Sequence, residues 1–334
     1  MTAFGKNEIA QAWRRGAEFL GCDHAIMGGA MTWVSERHLV AAISNSGGFG
    51  VLACGAMPPD KLRDEIKATR QKTSRNFAVN LILMHPNLVE LIDICGELKV
   101  KYVVFAGGLP TQTHIAQVKS HGIKVMGFAP TVMIGKKLVK MGVDALIIEG
   151  SEAGGHIGPV STSVLAQEIL PAISDVPIFV AGGIGRGEMI ALYVQMGAAG
   201  VQLGTRFVCA SESMAHQNFK QAFIRAEARD ALASVQLDPR FPVIPVRAIN
   251  NQASKLFMEC QRDVIERFNR GVVEQKAAQL EIEHFWAGAL RRAVVEGDVE
   301  NGSLMAGQSV GMVKSIQPCA DIIGELVAAA GLGK

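Results

Sequence analysis

The chain has 334 residues, of which 49% are apolar and 19% charged, and a formal net charge of +2. So small a charge excludes nucleic acid and an anionic membrane surface as principal partners and leaves small molecules, while the length suits one barrel-sized core with an appendage. The cysteines (Cys22, Cys54, Cys95, Cys209, Cys260, Cys319) are scattered without a CxxC pair, so neither a metal centre nor a disulfide framework is indicated. No signal-peptide core and no long apolar run is present, which points to a cytoplasmic protein.

Residues 6–21 read as an opening helix that plugs the bottom of the fold, with Ile9, Trp13, Phe19 and Leu20 on its covering face. A strand at His24–Trp33 runs into a Gly-Gly turn, and a helix follows at Ser35–Asn45. The alternation then continues, with strands at Phe49–Ala53, Phe77–Leu83, Lys101–Ala106, Ile123–Ala129, Asp144–Glu149, Pro177–Gly182 and Gly200–Thr205. Helices of ten to fourteen residues separate them, one opened by Pro58-Pro59, where proline suits a first helical turn. Short apolar strands alternating with helices are the sequence form of repeated βαβ units. Eight such units close a (β/α)8 TIM barrel, whose active site lies at the C-terminal ends of the strands.

After Arg206 the rhythm breaks. A polar helix over Ser211–Ala228, a proline-interrupted extended stretch LDPRFPVIPVRAI and further helices to about Glu296 follow. The expected division is a barrel from residues 1–209 plus 311–334, with 210–310 as a mainly helical insertion covering the C-terminal mouth. The segment GDVENGSLMAGQSVGMV leads back toward the site, and Ala320–Ala330 is the last barrel helix.

Three strand ends carry glycine-rich loops. The first, in DALIIEGSEAGGHIG, delivers His156 behind Gly154 and Gly155; an imidazole there can exchange protons at neutral pH. Gly182-Gly183 and Gly204-Thr205 offer unobstructed backbone N–H groups for an anion, and one phosphate is the natural ligand. No GxGxxG follows the first strand, so a mononucleotide fits better than a dinucleotide, and FMN is the expected cofactor. Asn80 and Glu149, polar at otherwise apolar strand ends, are candidates to bond its ring or ribityl chain. Met31 and Trp33 are candidates to pack near the ring, and Cys209 reads as a buried structural thiol.

The motifs GGAMTWV, ISNSGGFGVLACG, FAVNLIL, EGSEAGGHIG, AGGIGRG, GTRF and GALRRAVVEGDVENGSLMAGQ resemble those of the FMN-dependent nitronate monooxygenases, formerly 2-nitropropane dioxygenases, and of the related FMN-dependent enoyl-acyl-carrier-protein reductases. The resemblance spans nearly the whole chain. It implies flavin contacts at Ala30, Met31, Thr32, Asn80, Glu149, Gly154, Gly155, Gly182, Gly183, Gly204 and Thr205, and a catalytic role for His156. Where relatives commonly read Gln-Gly-Gly-Met, this chain has Gly28-Gly29-Ala30-Met31. Phe128 stands where some nitronate- and quinone-reducing relatives place a lysine.

The leading expectation is an enzyme oxidising alkyl nitronates with molecular oxygen. Alternatives are an NAD(P)H-dependent enoyl-thioester reductase, a quinone-type flavin reductase, a phosphate-sugar lyase or isomerase on the same fold, and a flavin-binding protein without turnover. A homodimer is the assembly to test.

Overall fold

The computed structural model describes residues 6–55 and 57–332; the first five residues of the expected amphipathic N-terminal segment lie outside them. Eight parallel strands, Ile26–Gly28, Gly50–Ala53, Phe77–Ile82, Tyr102–Ala106, Lys124–Phe128, Ala145–Glu149, Ile178–Ala181 and Gly200–Leu203, pair in chain order, the last pairing with the first. A parallel bridge between Met27 and Phe49 links the first and second strands and closes the ring. The fold is the expected TIM barrel.

Laterally paired residues share a face of a sheet, so the register assigns the interior. Ala53, Asn80 and Val104 are in line, as are Glu149, Ala181, Gln202 and Met27. The opposite face meets the helices: a Cβ added at Gly28 would lie 2.7 Å from Ile43, and one at Gly50 2.3 Å from the carbonyl of Val40.

The barrel floor is aromatic. Phe19, from the opening helix Lys6–Leu20, sits 5.9 Å from the Tyr102 ring and 6.2 Å from Phe179, while Phe49 stands edge-on to Tyr102 at 5.1 Å. Lys124 Nζ lies 4.7 Å over the Phe19 ring, and the Tyr102 hydroxyl donates to Phe19 O at 2.7 Å. Fully burying an aromatic side chain contributes about 1.5–3 kcal/mol. The plug closes the bottom and leaves only the strand C-termini open.

Between Leu203 and the last helix, Cys319–Ala330, the chain departs from the barrel rhythm. The polar helix expected over Ser211–Ala228 is confined to Gln217–Arg225, because the His216 ring accepts the Asn218 N–H as its cap and Ala226 turns extended. The proline-rich stretch forms a strand only at Val246–Ile249, after Pro239, Pro242 and Pro245, which supply no N–H to a ladder. That strand pairs antiparallel with Ala231–Ala233 on one side and Gly155–His156 on the other. Helices Gln252–Asn269 and Gln275–His284 enclose a second apolar cluster of Phe241, Phe257, Val264, Ala278 and Ile282.

Candidate active site

The barrel interior ends upward in polar groups. Asn80, 4% exposed, donates through Nδ2 to Val104 O at 3.1 Å. Glu149, the last residue of the sixth strand, accepts no hydrogen bond from any described residue, and burial pushes its carboxyl up to about 7. Part of its surface stays open to the mouth, so it is enclosed by protein without being sealed from solvent. Gln202, in line with Glu149 across Ala181, is 7% exposed and its amide also has no partner among the described residues. Neither group is among the sealed, unpaired polar atoms of the described residues, so both are open to a ligand that takes the place of water. Gln202 was missed by the motif reading; its signal is that of Asn80, one polar residue inside an apolar strand.

Four loops surround this layer. After the first strand, Gly29 N donates to Leu203 O at 2.8 Å, while Ser35 Oγ donates to Gly29 O at 2.7 Å and accepts from Met31 N at 3.0 Å. Ser35 thereby holds Ala30, Met31 and Thr32 against the eighth-strand loop, where a Cβ on Gly204 would sit 3.3 Å from the Met31 sulfur. Trp33 follows with φ 69°, a left-handed conformation that is strained for a bulky residue.

The loop after the sixth strand is held by its own acid: Glu152 Oε2 accepts from Thr162 N at 2.8 Å and Oγ1 at 2.9 Å. At Gly154 the space a Cβ would fill is taken by the chain itself, 2.6 Å from the backbone of Ala306 and Gly307. The close approach there is between two stretches of backbone. Gly182 and Gly183, at φ 95° and 71°, form a left-handed turn that side chains resist. The helix after them starts only at Gly187, so their N–H groups come from this turn and not from a first helical turn. Thr205 does open a helical turn, Thr205–Val208, after Gly204.

The C-terminal segment returns as expected and joins these loops. Gly307 N donates to Thr205 Oγ1 at 3.0 Å, and Gln308 N donates to Glu152 O at 2.9 Å. Arg247 adds a second tie, through Nε to Ser151 O at 2.8 Å and Nη1 to Ala231 O at 2.6 Å. Arg247 belongs to none of the motifs, and only the fold brings it here.

His156 lies on the edge of the small sheet, paired with Val246. Its ring is exposed and bonds no described residue, yet the surrounding protein displaces enough water to lower its pKa below 6.5. The exposed ring and the desolvation agree if the histidine faces a recess. It is neutral at pH 7. Cys209 is buried, with its thiol pushed up to about 12 by desolvation and 3.4 Å from Lys220 O, so it is no nucleophile. All six cysteines are free thiols. Arg206 turns away from the mouth toward Met312 O and Glu325, each at 3.2 Å. No helix among the described residues is long and apolar enough to cross a membrane.

An eight-stranded parallel barrel whose open end gathers glycine loops, polar side chains and a histidine has the architecture of a TIM-barrel enzyme. A sequence model of the nitronate monooxygenase family matches residues 15–98 and 87–329, and the chain belongs to that family, a flavin-dependent group of oxidoreductases. The structure of FabK from Thermotoga maritima is similar, with 35% identity, coverage of 95% of this chain and 96% of that one, and a TM-score of 0.85. A nitroalkane oxidase from Streptomyces ansochromogenes aligns over 92% of this chain and 95% of its own, at 26% identity and a TM-score of 0.73. A (3aS,4S,5R,7aS)-5-hydroxy-7a-methyl-1-oxo-octahydro-1H-indene-4-carboxyl-CoA dehydrogenase from Rhodococcus jostii strain RHA1 is 30% identical over 93% of this chain and 94% of its own length.

Proposed function

We propose that the protein is an FMN-dependent oxidoreductase of the nitronate monooxygenase type, which oxidises alkyl nitronates with molecular oxygen and in which His156 moves the proton at the carbon bearing the nitro group. The observation that carries this reading is His156 itself: an imidazole at the end of the sixth-strand loop that bonds no described residue and whose pKa is lowered by desolvation. A neutral ring is the form that accepts a carbon proton.

The residues fit a flavin mononucleotide. The left-handed turn at Gly182-Gly183 leaves backbone N–H groups bare of side chains, Gly204 and Thr205 complete an anion cradle, and Thr205 Oγ1 is held by Gly307 N. Glu149, Gln202 and Asn80 share the inward face of the strands at the open end and would bond the ring or ribityl chain; the first two have no protein partner among the described residues. Ala30, Met31 and Thr32 would flank the ring, with Gly154 and Gly155 opposite. When bound, FMN supplies two-electron redox chemistry. Residues 210–310 act as the cover that excludes water from the mouth.

A second reading, reduction of an enoyl thioester by NAD(P)H with His156 protonating the α-carbon, is supported by the 35% identity to FabK, an enoyl-acyl-carrier-protein reductase. In both readings His156 has the same task at a carbon beside an activating group: it takes the proton off a neutral nitroalkane to give the nitronate in the first, and puts one onto the α-carbon in the second.

The test is to mix the yellow holoprotein anaerobically with ethylnitronate and, separately, with NADH or NADPH. Rapid bleaching by ethylnitronate alone supports the first reading, and bleaching by the nicotinamide alone supports the second. His156→Ala should keep its flavin and lose about 10²–10⁴ of turnover on a neutral nitroalkane. A colourless wild-type protein that gains no absorbance with added FMN would defeat both readings.

A further inference from the structure

The end of the barrel opposite the mouth holds a recess of its own. It has a volume of about 320 Å³ and opens between the C-terminal ends of the helices Pro59–Lys72 and Leu88–Glu97, below the strands Phe77–Ile82 and Tyr102–Ala106. The buried Phe77 and Val100 form its base, the exposed Arg70, Arg75, Lys99 and Lys101 stand around it, and no carboxylate lines it.

These cations are only partly neutralised. Arg75 pairs with Asp23 at 3.2 Å. Arg70 donates to Lys99 O at 2.7 Å and Lys101 Nζ to Asn76 Oδ1 at 2.9 Å, both uncharged acceptors. The Lys99 ammonium has no partner among the described residues. With Asp23 counted, the recess carries +3, more than the +2 of the whole chain. Basic residues are ordinary at helix C-termini, where each offsets a partial charge of about −0.5. Two helix ends account for about one of the three charges, and the rest faces a cavity.

Lys99 also stands where this fold otherwise places glycine. Its N–H bonds Gly96 O at 2.9 Å and that of Val100 bonds Cys95 O at 2.8 Å, the double tie that ends a helix on one left-handed residue. The helices Arg37–Asn45, Gln112–Ser120, Val132–Lys140, Gly187–Gln195 and Gln252–Asn269 end with the same tie on Gly47, Gly122, Gly142, Gly197 and Gly271, all at positive φ. Lys99 takes φ 52°, which is strained for any residue with a Cβ. Strain is kept where surrounding structure or function requires it, and the role open to an unpaired ammonium beside this recess is to hold an anion.

We propose that the recess is a binding site for a small phosphate-bearing anion, separate from the mouth. Guanidinium and ammonium groups around a concavity suit the spread charge of a phosphate or diphosphate, and the volume is that of a small-molecule site. The six-residue strand above it sets the recess about 20 Å below the mouth. The anion it takes is therefore neither the substrate nor the phosphate of the proposed flavin.

The experiment titrates pyrophosphate, inorganic phosphate, ADP and citrate into FMN-saturated protein by calorimetry at about 0.1 M salt. The proteins are wild type, Lys99→Gly, Lys99→Glu and, as a control at the exposed C-terminal end of another barrel helix, Lys140→Glu. Pyrophosphate should bind wild type and Lys140→Glu within twofold of each other, about tenfold more weakly to Lys99→Gly, and more weakly still to Lys99→Glu. Because glycine relieves the strained φ, Lys99→Gly should melt about 1–2 °C above wild type without ligand, while the rise in Tm that pyrophosphate gives wild type shrinks. A lysine that only ends the helix would give the first effect without the second. ADP bound as tightly as pyrophosphate makes the diphosphate of a nucleotide the source; ADP weaker by tenfold or more makes it a free phosphate anion. Citrate as tight as pyrophosphate would overturn phosphate as the group recognised. The site itself is overturned by no binding up to about 5 mM pyrophosphate, by equal loss in Lys99→Glu and Lys140→Glu, or by binding that Gly183→Val abolishes and Lys99→Glu does not, which would put the anion at the mouth.

Discussion

Replacing Glu149 by Gln isolates a single buried acid whose charge the barrel resists. Its carboxyl is raised from 4.5 to about 7 by desolvation. Between these values the native protein retains a proton that the unfolded chain has released, so the apoprotein loses stability as pH rises through that window. At 1.36 kcal/mol per unit the full shift corresponds to about 3 kcal/mol, and solvent access from the mouth reduces the working figure to about 1.5 kcal/mol. With an unfolding entropy of about 2.1 cal/mol/K per residue over 334 residues, that is about 2 °C in Tm. Glu149→Gln should therefore gain about 2 °C relative to wild type on going from pH 4.5 to pH 8, measured by differential scanning fluorimetry on flavin-free protein. The isosteric amide preserves the packing, so any constant offset between the two proteins cancels in the comparison. A Tm difference that stays the same at both pH values would refute the argument that this carboxyl is held protonated by burial.

Gly183→Val forces a β-branched residue into φ 71° and sets its Cβ 3.0 Å from that of Glu152, so the purified variant should be colourless while the circular dichroism of the barrel persists. Because the His156 pKa is depressed, the acid limb of kcat/KM should fall below pH 6.5 and vanish in His156→Asn, as a pH profile at subsaturating substrate would reveal. Arg247→Met strips Ser151 O and Ala231 O of their donor, at about 1–3 kcal/mol each when buried. Limited proteolysis should then cut within residues 231–250 at least tenfold faster than in wild type, with Tm of the barrel itself little changed.

The barrel is readable in sequence because its strands are covered on both sides, by helices and by the opposite wall, and so appear as continuous apolar runs ended by glycine. The same property makes Asn80 and Glu149 visible as interruptions. Gln202 meets that criterion equally, but the glycine loop at Gly204-Thr205 follows it at once and masks the signal. The small sheet was not readable. Gly155–His156 has two residues and Ala231–Ala233 is mostly alanine, so neither shows a period of its own; each is a strand only because Val246–Ile249 lies between them. Local spacing says nothing of a partner so distant in sequence, nor of the backbone contact that makes Gly154 obligatory.

The ties that assemble the mouth are long in sequence: 96 residues separate Ser151 from Arg247, and 102 separate Thr205 from Gly307. Closing such loops is slow compared with pairing neighbouring strands. During synthesis the barrel strands are therefore all present before His156 has its sheet partner, and Thr205 waits for the last tenth of the chain to meet Gly307. On the proposed site, loading of a flavin would accordingly fall to the finished polypeptide, and a ribosome-bound fragment ending before residue 305 should fold much of the barrel yet bind no flavin.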